Sequence, residues 1–240
     1  MNEWVKKSIE IANAPGYLDK LQEVYPVIQE AEREIPEEVK KKLKKIYNKG
    51  DDVAFLRKRE VFIEYNPKTV QRIVNRIRLM GYNAMIESIE EPKEFNRQIG
   101  TLFKRWLPKI GYPTLAIEDF EIYDGIAFLH GSDAQLKDFA NTVLGCDLDK
   151  APDFLAKVRK RYVIGEAKFL TDYGGHQNAQ FEDALRLLRG KKGKAIRIAV
   201  LDGVVWIKDS TKMYRTVCQL EEVALSALLL KDFLESLRRI

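Results

Sequence analysis

Cysteine and histidine are scarce in this sequence, which has only two of each among 240 residues. The cysteines, Cys146 and Cys218, form no CxxC pair and no Cys/His pattern, which argues against a disulfide framework and against a zinc site. We interpret both as small apolar groups that are buried or half-buried. The histidines, His130 and His176, give little support to a His/Asp/Ser triad, and we expect His130 in a turn.

Long apolar runs are also missing. No stretch approaches the roughly 20 residues that a membrane-spanning helix needs, and the N-terminal segment MNEWVKKSIEIANAPG is too charged for a signal peptide. We therefore expect a soluble, cytoplasmic protein with no membrane partner. Hydrophobic residues make up 45% of the chain, which is enough for one sizeable core or two small ones.

Basic residues outnumber acidic ones, and the formal net charge is +5. This balance is compatible with a polyanionic partner such as nucleic acid but does not establish one. Solvated helix faces and turns also produce clusters of positive charge, so the sequence alone does not show which basic segment would contact nucleic acid. The basic segments lie at residues 40–50, 57–59, 72–78, 157–161, 189–194 and 208–215.

The first ninety residues predict mainly helices. In the segment 66–81, Asn66 is a natural N-cap, Pro67 suits the first helical position, and Gly81 is a stop signal. The segment 36–50 predicts another helix. We expect residues 1–90 to form a mainly helical N-terminal region.

Strands and helices alternate in residues 91–240. Periodicity predicts helices at 93–111, 132–145, 176–190 and 218–240, and strand segments at 114–129, 162–170 and 194–207. Ser132 and Gln135 have the spacing of a capping box. This alternation predicts an α/β (α+β) protein with a central mixed β-sheet flanked by helices.

Ionisable residues stand near the end of the strand YVIGEAKFL, residues 162–170. Because alternate side chains of a strand share a face, Glu166 and Lys168 are neighbours. Twelve residues separate Asp153 from Glu166, and they include the basic turn KVRKR. This spacing is about the length of a hairpin. We therefore expect Asp153 to meet Glu166 and Lys168 at one end of the sheet.

Two adjacent carboxylates repel each other, and a divalent cation removes that repulsion. Mg²⁺ prefers oxygen ligands, typically one or two carboxylates together with water and a substrate phosphate. We predict that Asp153, Glu166 and the backbone carbonyl of Ala167 hold Mg²⁺, and that Lys168 orients an attacking water. Such a set is sufficient to hydrolyse a phosphodiester. Alternatively, Asp153 caps a turn and Glu166 pairs with Lys168 on a solvated edge strand.

Pro152 and Asp153, followed after twelve residues by Glu166-Ala167-Lys168 on a strand, resemble the PD-(D/E)XK nuclease superfamily. The order of the predicted elements over residues 93–207 is similar to the core of that superfamily. The context GEAKFLTDYGGHQNAQ looks most like a type II restriction endonuclease.

This resemblance implies Mg²⁺-dependent hydrolysis of double-stranded DNA that leaves 5′-phosphates, usually by a homodimer. Residues 91–240 would form the catalytic core, and the helical residues 1–90 would support DNA binding or dimerisation. Two alternatives stay open. One is a structure-specific nuclease, such as a Holliday-junction resolvase or a mismatch-repair endonuclease. The other is a DNA-binding protein that keeps the fold without catalysis.

Members of the superfamily often add an acidic or amide residue from the helix before the core strands. Glu94 and Gln98 are spaced i, i+4 on the predicted helix at 93–111. Gln98 is the candidate for a fourth catalytic residue. The alternative is an ordinary polar face of a surface helix.

Polar residues that follow the predicted catalytic strand are candidates for DNA contacts. His176, Gln177, Asn178 and Gln180 come after a glycine turn, and amide side chains can pair with adenine in the major groove. Lys191 and Lys192 are candidates for phosphate contacts. Alternatively, Gln177 and Asn178 belong to the helix start and Gln180 supports the metal site.

Overall fold

A computed structural model gives the architecture of the chain. The structure describes residues 1–25, 55–56, 58–80, 95–190, 193–209 and 211–238. The helix predicted at 36–50 lies outside these residues, whereas the helix predicted at 66–81 is present from Pro67 to Met80.

The described residues form ten α-helices and six β-strands. The helices are α1 (Glu3–Ala12), α2 (Tyr17–Val24), α3 (Val61–Tyr65), α4 (Pro67–Met80), α5 (Phe95–Trp106), α6 (Ile117–Ile122), α7 (Asp133–Thr142), α8 (Gly175–Arg189), α9 (Lys212–Gln219) and α10 (Leu230–Ser236). The strands are β1 (Thr114–Leu115), β2 (Ile126–Leu129), β3 (Phe154–Val158), β4 (Arg161–Leu170), β5 (Ala195–Gly203) and β6 (Val223–Leu225). Short 3₁₀ helices occur at Leu107–Ile110, Val204–Trp206 and Ala227–Leu229.

The strands of the described chain form one mixed sheet in the order β1-β2-β3-β4-β5-β6. The pairs β2–β3 and β3–β4 are antiparallel, whereas β1–β2, β4–β5 and β5–β6 are parallel. The two longest strands, β4 and β5, are adjacent, and most of their side chains are buried because helices cover both faces. The prediction of an α/β protein with a central mixed sheet flanked by helices is confirmed.

Helices cover the β3–β4 hairpin from both sides. On one face, the Phe103 ring of α5 lies 5.7 Å from the Phe154 ring at the start of β3. On the other face, Ile164 of β4 is in one apolar cluster with Leu187 of α8. The two strands of this hairpin are therefore held by packing on both faces.

The N-terminal helices pack on the sheet. α1 contacts β6, and Val5 and Tyr17 belong to the same apolar core as Phe154. The first turn of α4 is capped by Asp19 of α2, whose carboxylate accepts hydrogen bonds from the backbone N–H groups of Lys68 at 3.3 Å and Thr69 at 2.8 Å. A domain boundary near residue 90 stays a prediction.

The prediction that the Asn66 side chain caps α4 is wrong. The Oδ1 atom of Asn66 accepts a hydrogen bond from the backbone N–H of Leu18 at 2.8 Å, and its Nδ2 donates to the Phe62 carbonyl. Asn66 is fully buried in this arrangement. A tertiary contact therefore takes the oxygen that a local cap would have used.

Two predicted elements are also corrected by the structure. The segment 114–129 contains α6 between its two strands, with Glu118 and Asp119 in the first helical turn, where acidic side chains are favourable. The single helix predicted at 218–240 is instead the end of α9, then β6, a 3₁₀ turn and α10. A short apolar run fits a buried strand as well as a helix, and pairing with β5 decides for the strand.

None of the helices in the described part of the chain combines the length and the apolar character that crossing a bilayer requires.

Candidate active site

The β3–β4 hairpin brings the three predicted catalytic residues together. Phe154 of β3 pairs with Gly165 of β4, and the backbone N–H of Asp153 donates to the Gly165 carbonyl at 2.9 Å. The Oδ2 atom of Asp153 accepts a hydrogen bond from the backbone N–H of Ala167 at 2.8 Å. Asp153 is therefore fixed beside the Glu166-Ala167-Lys168 segment by the register of the two strands.

The two oxygens of the buried Glu166 carboxylate have different surroundings. Its side chain is only 2% exposed, and Oε1 lies 2.6 Å from the Lys168 ammonium and 2.5 Å from that of Lys150. Oε2 is buried and has no hydrogen-bond partner among the described residues. A buried carboxylate oxygen without a partner is costly, so a ligand at Oε2 would be stabilising.

The charges of this site influence one another. Burial raises the pKa of Asp153, and the neighbouring Glu166 carboxylate raises it further, while Lys168 acts in the opposite direction. Burial alone would lower the pKa of Lys168, but the carboxylates of Glu166 and Asp153 outweigh it, and the net pKa is raised. Lys168 is therefore an ammonium at neutral pH, and Asp153 holds its proton more readily than an exposed aspartate does.

The Ala167 carbonyl lies on the same side of β4 as Asp153. In an extended strand, the N–H and C=O groups of one residue point to the same neighbour. Since the Ala167 N–H bonds to Asp153, its carbonyl is also directed to that edge, beyond the first residue of β3. Its role as a metal ligand stays a prediction.

The donor set of the site fits a cation that needs only two carboxylates. No group of three or more His, Cys, Asp or Glu side chains with metal-binding geometry occurs among the described residues. Mg²⁺ is commonly held by one or two carboxylates, with water and substrate oxygens as the remaining ligands. The unpartnered Oε2 of Glu166 next to Asp153 suits such a site.

Helix α5 runs past this site. A Cβ atom at Gly100 would lie 3.7 Å from Oδ1 of Asp153, so the helix backbone comes close to the carboxylate. Gln98 belongs to the same helix, but its side chain lies outside the described residues. Its catalytic role stays a prediction, and Glu94 also lies outside the described residues.

The sequence matches the model of one protein family, described as the Tsp45I type II restriction enzyme, over residues 2–58 and 49–237. These two segments cover nearly the whole chain. The chain belongs to this family. The resemblance to a type II restriction endonuclease is thereby confirmed. No curated protein and no solved structure matches the chain significantly.

In this member of the restriction enzyme family, the loop after β4 is held in place from several sides. Lys58 lies 3.1 Å from the Asp172 carboxylate, and its ammonium is 4.1 Å from the centroid of the Tyr173 ring. The Tyr173 hydroxyl donates to the Asp209 carboxylate, and the backbone N–H of Thr171 donates to Oε1 of Gln177 at 3.1 Å. The residues that follow β4 are thus fixed by contacts with distant segments.

The predicted DNA-contacting residues after β4 have different surroundings. Gln177 lies in the first turn of α8, is 6% exposed and accepts a hydrogen bond from the Thr171 N–H, which favours the alternative that it belongs to the helix start. Asn178 is exposed, with its Nδ2 donating to the Tyr173 carbonyl, and Gln180 is half-buried. The side chain of His176 lies outside the described residues. DNA contacts by these four residues stay predictions.

The basic turn KVRKR lies far from the site in space, although it is near in sequence. It joins β3 to β4 at the end of the hairpin opposite to Glu166 and Lys168, a separation of about 20 Å along the strand. Lys157 of this turn is buried, and its ammonium donates to the carbonyls of Phe120 and Glu121 at the end of α6. Lys157 is therefore a structural residue of the hairpin.

The basic segment 189–194 leads into β5, whose first residue, Ala195, pairs with Tyr162 at the start of β4. The beginning of β5 therefore lies at the same end of the sheet as the KVRKR turn. Lys191 and Lys192 lie outside the described residues, and their phosphate contacts stay predictions.

Lys150 is a residue of the site that the sequence analysis missed. Besides its contact with Glu166, its ammonium lies 4.0 Å from Oδ2 of Asp183 on α8. Lys150 stands in an irregular segment between α7 and β3, where no periodicity predicts the direction of a side chain. Its position two residues before Pro152 was the only available signal.

Proposed function

We propose that this restriction enzyme catalyses the Mg²⁺-dependent, sequence-specific hydrolysis of phosphodiester bonds in double-stranded DNA. The observation that carries the proposal is the buried Glu166 carboxylate, which lies beside Asp153 and Lys168 and has one oxygen without a partner among the described residues. The family supports an enzyme that acts on DNA.

Asp153 and Glu166 would hold Mg²⁺, with the Ala167 carbonyl as a further oxygen ligand. When bound, the cation would supply positive charge that stabilises a phosphate under attack and makes a nearby water more acidic. The protein contributes the fixed positions of these oxygens. Asp153 is held by the Ala167 N–H, and Glu166 is held by its own burial and by two lysines.

Lys168 would bind the attacking water and stabilise the negative charge that develops during attack. Its ammonium lies 2.6 Å from Glu166, and its side chain is 20% exposed, so it can reach both the carboxylate and a substrate. The raised pKa keeps the group protonated, which suits a donor of hydrogen bonds better than a general base.

A homodimer is part of the proposal because double-strand cleavage needs one active site for each strand. A two-fold dimer on a palindromic target places the two sites symmetrically. Sedimentation of the purified protein with and without DNA would measure this state. A monomer in both conditions, together with double-strand cutting, would contradict the dimer.

A cleavage assay tests the function. The purified protein is incubated with linear phage DNA, with plasmid and with a synthetic four-way junction, each with Mg²⁺ or with EDTA. We expect discrete fragments from the phage DNA in Mg²⁺ and intact DNA in EDTA. Glu166→Gln, which preserves the shape of the side chain, should give no fragments.

Other outcomes would replace the proposal. Cleavage of the junction alone would indicate a structure-specific nuclease, and binding without cleavage in any divalent cation would indicate a non-catalytic DNA-binding protein. Discrete fragments in EDTA would show that hydrolysis does not need the cation.

A further inference from the structure

Two lysines share one oxygen of the Glu166 carboxylate, although a single ammonium is enough to neutralise it. The ammonium groups of Lys168 and Lys150 lie 2.6 and 2.5 Å from Oε1, and neither forms a hydrogen bond with Oε2. Both positive charges are therefore on one side of the carboxylate, and the other side is left to a ligand.

The two lysines are held differently. Lys168 extends from the central strand β4, and its side chain is 20% exposed. Lys150 extends from the segment between α7 and β3, and its side chain is 51% exposed. Lys150 can thus move without disturbing the sheet, and Asp183, 4.0 Å away, offers a second carboxylate for its ammonium.

Like charges repel strongly at short range in a partly buried site. A divalent cation at Oε2 would lie within several ångströms of the Lys150 ammonium, because the two oxygens belong to one carboxylate. The contact that orients Glu166 therefore also disfavours a cation beside it. We expect the repulsion to exceed the gain from orientation, because the two charges would lie closer together than the screening length of about 8 Å at physiological salt. The net effect of Lys150 on cation affinity is then negative.

We propose that Lys150 is a positioning residue of the active site, which neutralises and orients Glu166 in the cation-free protein and lowers its affinity for a divalent cation. This inference rests on the proposed function, since it assigns the cation to Asp153 and Glu166. Lys150 would thus hold the Glu166 carboxylate in place before a cation binds, and its charge would oppose that binding.

The test measures Mn²⁺ binding to the full-length protein without DNA, by the loss of the electron paramagnetic resonance signal of free Mn²⁺. Lys150→Gln should bind Mn²⁺ on the order of three- to tenfold more tightly than the wild type. Lys150→Arg keeps the charge and should bind like the wild type. Since Lys150 is half-exposed, neither change should affect folding, and circular dichroism would check this.

Lys160 provides the matched control. It is an exposed lysine of the β3–β4 turn, at the far end of β4 and about 20 Å from Glu166. That separation exceeds the screening length of about 8 Å at physiological salt. Lys160→Gln should therefore leave Mn²⁺ affinity unchanged, although it removes the same net charge.

The outcomes separate this proposal from the proposed function. Equal or weaker Mn²⁺ binding by Lys150→Gln would overturn the role of Lys150, while the loss of that binding in Glu166→Gln would still support the metal site. No Mn²⁺ binding by the wild type or by Lys150→Gln would overturn both. Equal tightening by Lys160→Gln would show a general charge effect and would also overturn the role of Lys150.

Discussion

Oδ2 of Asp153 accepts a hydrogen bond from the backbone N–H of Ala167 at 2.8 Å, so the first carboxylate of the site is bonded to the strand that carries the second. The bond follows from the pairing of Phe154 with Gly165, one residue further into the hairpin. The geometry of the site therefore depends on backbone register, which a one-residue shift would destroy.

Asp153→Asn should separate the charge of this residue from its structural role. The amide oxygen of asparagine can still accept the Ala167 hydrogen bond, so the melting temperature should change little. Cleavage should fall by roughly 100-fold or more, because a ligand for the cation is lost. Asp149→Asn is the control, since it makes the same chemical change at an exposed position nearby. Equal activity of Asp153→Asn and the wild type would remove Asp153 from the mechanism.

Acidification should raise the Mg²⁺ requirement of cleavage. Burial and the Glu166 carboxylate raise the pKa of Asp153 above its ordinary value of 3.8, so protons compete with the cation at a higher pH than they do at an exposed aspartate. The Mg²⁺ concentration at half-maximal cleavage should therefore increase as the pH is lowered from about 8 to about 5. A requirement that is constant over this range would contradict the competition.

Lys168→Ala should abolish cleavage and leave DNA binding largely intact. In the proposed mechanism the ammonium donates a hydrogen bond to the attacking water and stabilises the developing negative charge, and loss of one such donor typically lowers a rate by roughly 10²- to 10³-fold or more. Binding is measured by fluorescence anisotropy with a labelled duplex, and cleavage is measured on the same duplex. Lys160→Ala serves as the control for loss of charge. Unchanged turnover in Lys168→Ala would exclude Lys168 from the chemistry.

The parts of the site that lie on a periodic hairpin could be predicted from the sequence. The alternation of β4 placed Glu166 and Lys168 on one face, and the hairpin length placed Asp153 beside them. Lys150 could not be predicted, because it extends from an irregular segment. The distance of the KVRKR turn from the site follows from strand direction, which closeness in sequence does not reveal.

The same limit applies to the fold. The helix and strand periods identified α4, α5, α7, β4 and α8, whereas the apolar run around Leu225 fitted both a helix and a buried strand. At Asn66 the local capping signal was wrong for α4, because the side-chain oxygen accepts a hydrogen bond from the distant Leu18 N–H instead. In each of these cases, contacts between residues far apart in sequence determined the structure.

Asp202 should make stability depend on pH. Its fully buried carboxylate accepts hydrogen bonds from the hydroxyls of Tyr17, Tyr25 and Ser226 and from the Ala227 N–H. Burial nevertheless raises its pKa from 3.8 to about 7. The folded state thus binds a proton that the unfolded state has lost between these values, so this residue contributes stability below pH 4 that is lost as the pH rises through 7.

Asp202→Asn tests this dependence, because the amide does not titrate. The stability of the wild type relative to the variant should decrease by up to about 4 kcal/mol between pH 4 and pH 7. Urea denaturation at a series of pH values measures this difference in stability. The contributions of the other carboxylates cancel, because both proteins contain them. A difference that is constant with pH, or that grows as the pH rises, would contradict the raised pKa.

Gly165→Ala should destabilise the hairpin that carries the site. A Cβ atom at this position would lie 2.2 Å from Cε1 of Phe154, whose ring is buried against Phe103 and Phe128. Because the ring has little room to move, we expect a loss of roughly 1–3 kcal/mol in the free energy of unfolding, measured by urea denaturation. Gly174→Ala is the control, since a Cβ atom there meets no atom within 4 Å and its φ of −72° is ordinary.

A second substitution shows whether the ring is the cause. In the double variant Gly165→Ala with Phe154→Leu, the smaller side chain leaves space for the new methyl group. The two changes together should therefore cost less stability than the sum of their separate effects. Additive losses would show that Phe154 is not the obstacle and that glycine is required at this position for another reason.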